Sequence, residues 1–164
     1  MQDWQRSVIY QIYPKSFYSH AGNATGDLRG VVDKLDYLQW LGVDYLWLTP
    51  FLRSPQRDNG YDISDYYAID PSYGSMADCE LLIREAGARG LKLMLDIVVN
   101  HTSIEHEWFQ QARSSLDNPY RDFYIWRDQP NNWESKFGGS AWEYEAQTGQ
   151  YFLHLFDHTQ ADLN

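Results

Sequence analysis

Three apolar segments typical of β-strands alternate with two helical patterns along the first part of the chain. The strand-like segments cover residues 8–13, 43–49 and 91–99, and the third is apolar at almost every position. Between them, apolar residues recur at helical spacing over residues 31–41 and 79–86. Such an alternation is typical of parallel βα units, whose strands are buried on both faces. The sequence therefore predicts an α/β fold built on a parallel sheet.

Local signals give the expected ends of the two helices. Gly42 and Gly90 follow the last apolar residues of each pattern, where a helix commonly stops. Ser75 with Asp78 three residues later forms a capping-box pattern at the start of the second helix. The long polar stretch 51–74 contains several Gly and Pro residues and is expected to be an irregular loop.

After the third strand segment the alternation stops. Residues 103–115 have a helical pattern, and the short aromatic runs 123–126 and 151–156 indicate antiparallel strands. A closed (β/α)8 TIM barrel needs ~250 residues. We therefore expect a fragment: the first three βα units of such a barrel in residues 1–100, and an inserted small domain after strand 3 in residues 101–164.

Charge and cysteine content exclude several classes of protein. Thirteen Lys and Arg against 23 Asp and Glu give a net charge of -10, so a nucleic-acid partner is not expected. No apolar run reaches the ~20 residues of a membrane helix, and residues 1–6 lack the pattern of a signal peptide. The single cysteine, Cys79, fits a reducing compartment. These features predict a cytoplasmic protein with no membrane partner.

The carboxyl ends of barrel strands are where reactive side chains are expected. This rule selects the loop 58–62 and the end of the third strand, from Asp96 to His101. His101 has two open interpretations, a structural hydrogen-bonding residue or a functional one. Asp96 lies in an apolar strand and is expected to form a buried structural ion pair, because an unpaired carboxylate there would be unfavourable.

A metal site at His101, Glu105 and His106 is not supported by their spacing. The order His-x-x-x-Glu-His differs from the zinc motifs His-Glu-x-x-His and His-x-x-Glu-His. Thr102 and Glu105 instead match a capping box at the start of the predicted helix. We therefore expect no metal ligand in this segment.

Taken together, five segments resemble the α-amylase family of glycoside hydrolases, in order and over the whole chain. These segments are residues 8–14, 42–50, 58–62, 96–102 and 160–164. The resemblance implies a small-molecule sugar or sugar-phosphate substrate. It also implies a partner for this chain in the C-terminal part of the barrel.

Within that family, residues 131–142 and Ala161 are most similar to members that hydrolyse trehalose 6-phosphate. The implied function is the N-terminal part of an exo-acting α-glucosidase that releases glucose and glucose 6-phosphate. An oligo-1,6-glucosidase acting on isomalto-oligosaccharides is the first alternative. A non-catalytic amylase-like scaffold is the second, although a scaffold has no need of a polar sugar pocket.

The resemblance also implies roles for individual residues. Asp58 would bind hydroxyls of the non-reducing glucose in the −1 subsite, Tyr61 would stack on its ring, and His101 would bind its 6-hydroxyl. Phe156 would line the same pocket. Residues that would hold the shape of the site are Asp96, Asn100 and Asp162. Asp62 remains open between a turn residue and a functional one, since Asp favours turns.

The family mechanism is retaining hydrolysis by two carboxylates ~5 Å apart. The resemblance places these groups beyond Asn164, so we expect the 164-residue chain to be inactive alone. Many relatives carry a calcium loop after the first strand, and the corresponding residues 19–27 keep only Asn23 and Asp27 as side-chain ligands. Calcium takes six to eight oxygen ligands, so we expect weak calcium binding at most and no cofactor.

Overall fold

The computed structural model describes residues 3–164, with Asp3 and Trp4 described by their backbone alone. Met1 and Gln2 lie outside the described residues. They belong to residues 1–6, whose sequence does not have the pattern of a signal peptide. The chain divides into two compact units. The first unit runs to Leu52 and continues over Tyr67–Ile97, and the second comprises Arg53–Tyr66 and Val98–Asn164.

Over residues 3–164, ten strands and five α-helices follow one another. The strands are β1 (Ile9–Ile12), β2 (Tyr45–Leu48), β3 (Leu52–Arg53), β4 (Asp65–Ile69), β5 (Lys92–Leu95), β6 (His101–Ser103), β7 (Trp126–Arg127), β8 (Trp142–Glu145), β9 (Gln150–Leu153) and β10 (Gln160–Asp162). The helices are α1 (Pro14–Phe17), α2 (Leu28–Asp33), α3 (Leu35–Trp40), α4 (Met76–Ala88) and α5 (Glu107–Ser114). Short 3₁₀ helices cover Asp3–Arg6 and Arg121–Phe123. In the described chain, no helix has the length and apolar character needed to cross a membrane.

A three-stranded parallel sheet lies in the first unit, in the order β1-β2-β5, and confirms the predicted parallel arrangement. The core on this sheet consists of buried apolar side chains from the strands and from α2, α3 and α4, among them Ile12, Leu28, Leu35, Leu46 and Leu82. The apolar side chains that recur at helical spacing therefore face the sheet, as expected for amphipathic helices.

The third strand differs from its prediction. Strand β5 covers only Lys92–Leu95 of the expected 91–99, and it is not buried on both faces. Leu95 is 48% exposed and Ile97 is 78% exposed. The physical reason is that β5 lies at the edge of the sheet and pairs with β2 alone, so nothing in the described chain covers its far side.

The predicted C-terminal ends of both helices are confirmed, although the first helical pattern is divided into two helices. The pattern 31–41 corresponds to α2 and α3, which meet at Lys34. Gly42 and Gly90 follow α3 and α4 with φ values of 82° and 73°, a left-handed conformation that favours glycine. The expected loop 51–74 is partly wrong, because β3 and β4 form a two-stranded sheet within it.

The second unit is built from short antiparallel strands, as predicted. Strands β7, β9 and β8 form one sheet in that order, and β6 pairs with β10 in another. The aromatic runs contribute β7 and β9, with bounds shifted from those expected. An apolar cluster around Phe109, Tyr124 and Phe152 packs between these elements.

The start of α5 corrects the predicted capping box at Thr102 and Glu105. The helix begins at Glu107, and the His106 ring accepts a hydrogen bond from the Trp108 amide at 3.1 Å as its cap. Thr102 lies in β6 instead, and its hydroxyl pairs with the Tyr124 hydroxyl at 2.7 Å. Because Thr102 pairs within β6, it does not cap the helix. The helix is therefore shorter than the range 103–115 that its pattern predicted.

The capping box of α4 is confirmed and includes an ion pair. The Asp78 carboxylate accepts hydrogen bonds from the Ser75 amide at 2.8 Å, the Ser75 hydroxyl at 2.6 Å and Arg29 Nε at 2.5 Å. The pKa of Asp78 is lowered to about 2, chiefly by the hydrogen bond from Arg29 and next by the one from the Ser75 hydroxyl. Because this folded-state pKa lies below the unfolded value, the contribution of Asp78 to stability is present above pH ~4 and is lost as pH falls toward 2.

Replacing Arg29 with Met should raise the pKa of Asp78 toward its ordinary value, because the principal donor to the carboxylate is removed. The measurement is the carboxyl ¹³C shift of Asp78 as a function of pH. Arg84→Met is the matched control, since Arg84 pairs with Glu85 and not with Asp78. An unchanged Asp78 midpoint in the Arg29 variant would contradict this assignment.

The exposed apolar edge at β5 should make the 164-residue chain associate with itself, because uncovered apolar strand edges pair with other chains. We expect sedimentation velocity to show concentration-dependent oligomers that Leu95→Lys combined with Ile97→Lys reduces. Ile83→Lys is the matched control, because Ile83 is 55% exposed on α4. A soluble monomer that melts cooperatively at all concentrations would be the opposite result.

Candidate functional site

The turn that carries Asp58 and Tyr61 is fixed by a buried carboxylate. Asp62 is 0% exposed and accepts hydrogen bonds from the Ser54 hydroxyl at 2.7 Å, the Arg57 amide at 2.9 Å and the Asp58 amide at 3.2 Å. Three donors compensate for the cost of burying this charge. Asp62, left open by the sequence, therefore holds the turn in place.

Gln160 links two of the predicted site residues from the far end of the chain. Its side chain is fully buried in β10, and Nε2 donates to Asp58 Oδ2 at 2.8 Å. The same nitrogen lies 3.1 Å from His101 Nε2. Its Oε1 accepts a hydrogen bond from the Asp157 amide at 2.9 Å, which fixes the amide orientation. The Asp58 carboxylate and the His101 imidazole are thus held side by side.

His101 lies in β6 with its ring almost fully buried, 4% exposed. Its Nε2 lies 3.0 Å from the Tyr61 carbonyl oxygen, and its Nδ1 lies 2.7 Å from Asn100 Nδ2. Both ring nitrogens therefore have polar neighbours, which fixes the plane of the ring. Asn100 also accepts a hydrogen bond from the Leu163 amide through its carbonyl oxygen, at 2.9 Å.

Asp162 lies directly opposite His101 in the antiparallel pair of β6 and β10. It is 5% exposed, and its Oδ2 accepts a hydrogen bond from the Leu155 amide at 2.5 Å. Burial raises the pKa of Asp162, and the Leu155 hydrogen bond opposes this effect only in part. This hydrogen bond ties the chain at Leu155 to β10.

An aromatic side chain covers the imidazole. The Phe156 ring centroid lies 5.3 Å from that of His101 and 6.1 Å from that of Phe137. The Phe156 backbone is held by the Ser135 hydroxyl, which donates to its carbonyl oxygen at 2.6 Å. A half-buried ring in this position leaves an apolar surface beside a polar cluster, a combination suited to a sugar ring.

The second unit therefore brings together most of the residues selected from the sequence. They are Asp58, Tyr61, Asn100, His101, Phe156 and Asp162. Asp96 lies in the first unit, half-buried, and accepts a hydrogen bond from Trp47 Nε1 at 3.0 Å. Sequence reasoning missed Gln160, although it stands in the segment 160–164 that carried part of the family resemblance.

In the loop 19–27, the carboxylate of the expected calcium ligand Asp27 accepts hydrogen bonds from the protein itself. Asp27 caps α2, and its carboxylate accepts hydrogen bonds from the Gly30 amide at 2.6 Å and the His20 amide at 3.2 Å. These N–H groups use part of the acceptor capacity of the Asp27 carboxylate. The backbone amide of Asn23 donates to the Ser19 hydroxyl at 2.9 Å, so the loop is closed by its own hydrogen bonds.

The side chains of the rejected zinc motif have other functions. Glu105 forms an ion pair with Arg57 at 2.8 Å, and His106 caps α5. Among residues 3–164, no group of three or more His, Cys, Asp or Glu side chains is arranged to hold a metal ion.

Comparison with known proteins gives matches along almost the whole chain. The trehalose-6-phosphate hydrolase of Bacillus subtilis is 62% identical over 98% of this chain, and the oligo-1,6-glucosidase of Heyndrickxia coagulans is 57% identical over 98%. The crystal structure of Bacillus licheniformis trehalose-6-phosphate hydrolase superposes with a TM-score of 0.97 at 59% identity, over 100% of this chain and 31% of that one.

This chain spans about 30% of the length of the two curated relatives. A scan against protein families matches residues 11–164 to the alpha amylase catalytic domain. The chain belongs to the α-amylase family, as an N-terminal fragment of the catalytic domain of its relatives.

Proposed function

We propose that this chain is the N-terminal part of a retaining, exo-acting α-glucosidase that hydrolyses trehalose 6-phosphate to glucose and glucose 6-phosphate. The observation that carries the proposal is the Gln160 amide, which holds the Asp58 carboxylate beside His101. The identity of 62% to a trehalose-6-phosphate hydrolase supports this choice of substrate.

In this proposal, the parallel sheet supplies the first three βα units of a (β/α)8 barrel. The α-amylase catalytic domain is a TIM-barrel family, and the order β1-β2-β5 with two helical crossovers fits the start of such a barrel. Residues 1–100 would then form the barrel part and residues 101–164 the inserted small domain. The C-terminal part of the barrel would cover the exposed edge at β5.

The polar cluster would form the −1 subsite for the non-reducing glucose. Within the described chain, Asp58 Oδ2 accepts from Gln160 while Oδ1 has no hydrogen-bond donor, so Oδ1 is open to a sugar hydroxyl. His101 would bind the 6-hydroxyl, Tyr61 would stack on the ring, and Phe156 would line the pocket. Asp96, Asn100 and Asp162 would hold its shape. A carboxylate and an aromatic wall at one end of a pocket favour a chain end, and hence exo cleavage.

Hydrolysis with retention needs a nucleophile and an acid/base carboxylate ~5 Å apart. In the second unit, Asp62 and Asp162 are buried and accept backbone hydrogen bonds that hold the fold, which does not suit either role. The family resemblance implies that both catalytic carboxylates lie beyond Asn164, and we propose on that basis that the 164-residue chain is inactive alone. The residues of this chain bind and orient the glucose that is attacked.

The donors that surround Asp27 support a site without calcium, and nothing in the proposed reaction requires another cofactor. A cytoplasmic location is also proposed, because the single thiol, Cys79, is partly buried against the core and suits a reducing compartment. The partners would be the sugar phosphate and the C-terminal part of the barrel.

Asp58→Asn in the full-length protein should lower kcat/KM for trehalose 6-phosphate by ~100-fold, equivalent to about 2.7 kcal/mol. The amide weakens the charge-assisted hydrogen bond to the glucose hydroxyl while preserving the shape of the side chain. Steady-state kinetics give the measurement, and Asp117→Asn on the exposed segment after α5 is the matched control. A loss of less than ~3-fold would remove Asp58 from the subsite.

Glucose release from trehalose 6-phosphate and from isomaltose, measured in parallel with the full-length protein, tests the substrate. We expect a kcat/KM at least ~10-fold higher for trehalose 6-phosphate. Preference for isomaltose would assign the chain to an oligo-1,6-glucosidase, the alternative favoured by the 57% identity to that enzyme. Activity on neither sugar would favour a non-catalytic scaffold.

A further inference from the structure

The start of helix α5 is capped by a buried histidine. His106 is 6% exposed, and its Nδ1 accepts a hydrogen bond from the Trp108 amide at 3.1 Å. A backbone N–H can only donate, so Nδ1 carries no proton in this contact. An imidazolium has N–H groups at both ring nitrogens and cannot accept. The cap therefore exists only while the His106 ring is neutral.

Protonation of His106 would act against α5 in two ways. It would bring the ring N–H and the Trp108 N–H face to face, and one of the first helical amides would lose its acceptor. It would also place a positive charge at the amino end of the helix, where the macrodipole is positive. An asparagine cap has no such dependence on pH, because its amide side chain does not titrate.

The surroundings of His106 favour the neutral ring. Burial is the largest effect and lowers the pKa of His106 below its ordinary value of 6.5, while the carboxylates of Asp65 on β4 and Glu107 on α5 oppose this shift. Glu105, one position earlier in the chain, is paired with Arg57 at 2.8 Å. Because the folded-state pKa lies below the unfolded value, the cap contributes its full stability above pH ~6.5 and loses it as pH falls toward the folded-state pKa.

The His106 ring also packs against Tyr66. Their ring centroids lie 5.5 Å apart, and the Trp108 ring contacts both. The Tyr66 hydroxyl donates to the Val98 carbonyl oxygen at 2.8 Å and lies 3.1 Å from the His101 carbonyl oxygen. Burial raises the pKa of Tyr66 to about 12, so this hydroxyl keeps its proton where histidines titrate. One side chain thus connects the cap to the backbone of His101.

A tight turn gives the cap a second connection to β6. The His106 amide donates to the Ser103 carbonyl oxygen at 3.0 Å, and the Glu105 amide donates to the Ser103 hydroxyl at 3.1 Å. The Ser103 amide in turn donates to the Ile63 carbonyl oxygen at 2.9 Å. A rearrangement at His106 would therefore act on the end of the strand that carries His101.

We propose that His106 is a pH-sensitive cap, whose neutral ring holds the start of α5 against Tyr66 and whose protonation releases this contact and weakens sugar binding at His101. His106 is a positioning residue, which acts through Tyr66 and not by contact with the sugar. The cap itself is independent of the substrate, whereas its effect on binding rests on the proposed −1 subsite. The two parts are therefore measured separately.

Hydrogen exchange of residues 107–114 in the full-length protein tests the cap. After correction for the intrinsic effect of pH, mass spectrometry should show about 10-fold faster exchange at the helix start at pH ~5 than at pH ~7.5. His106→Asn should remove this difference, because asparagine caps a helix without titrating. His20→Asn is the matched control, since it removes an exposed histidine of the first unit and should leave the difference unchanged.

Kinetics of the full-length protein with p-nitrophenyl α-D-glucopyranoside test the coupling to the sugar site, since this substrate has no phosphate that titrates near pH ~6. KM should rise at least ~3-fold from pH ~7.5 to pH ~5, and His106→Asn should reduce the rise to less than ~1.5-fold. Tyr66→Phe keeps the ring and removes the hydroxyl. It should abolish the rise in KM, while the exchange of α5 stays dependent on pH.

His106→Asp is a second variant, which caps without titrating in this range and should behave as His106→Asn does. Exchange of α5 that does not respond to pH, or a response that persists in both His106 variants, would refute the cap. An equal rise of KM in the parent protein and in Tyr66→Phe would refute the transmission through Tyr66. Failure of the proposed function would give a different result: no hydrolysis of the glucoside, with exchange of α5 that still depends on pH.

Discussion

A buried amide is the contact on which the candidate site depends. Gln160 is fully enclosed; its Nε2 donates to Asp58 Oδ2 and lies 3.1 Å from His101 Nε2, and its Oε1 accepts from the Asp157 amide. In a low-dielectric interior such hydrogen bonds reinforce one another, and an unpaired member would be costly. The amide therefore fixes the distance between a carboxylate and an imidazole that come from separate segments of the chain.

Two further buried carboxylates hold the chain segments on either side of that contact. Asp62 holds the turn before it, and Asp162 holds the chain at Leu155 after it. Each carboxylate accepts hydrogen bonds from backbone amides. These bonds make the local backbone rigid where, in the proposal, a sugar would be oriented. Asp58 differs from them because one of its oxygens remains open. In the proposed site, the same residue type would therefore have structural and binding roles, which differ in burial and in the number of hydrogen-bond donors.

Features set by neighbouring residues could be predicted from the sequence. The capping box at Ser75 and Asp78, the left-handed glycines after α3 and α4, and the parallel strands all depend on local pattern. The errors arose where distant partners decide. Thr102 looks like a helix cap but pairs with Tyr124, and β5 looks buried although the described chain leaves its far side open. Gln160 lies in the segment 160–164 that resembles the family, but its contact with Asp58, 102 positions away, could not be inferred from local pattern.

The second unit is discontinuous, since Arg53–Tyr66 is separated from Val98–Asn164 by a segment of the first unit. Asp58 and Gln160 are 102 positions apart, and ribosomes add about 5–20 residues per second. Asp58 is therefore added to the chain roughly 5–20 s before its amide partner is made. During synthesis this carboxylate is solvated by water, and the polar cluster can form only after β10 has emerged.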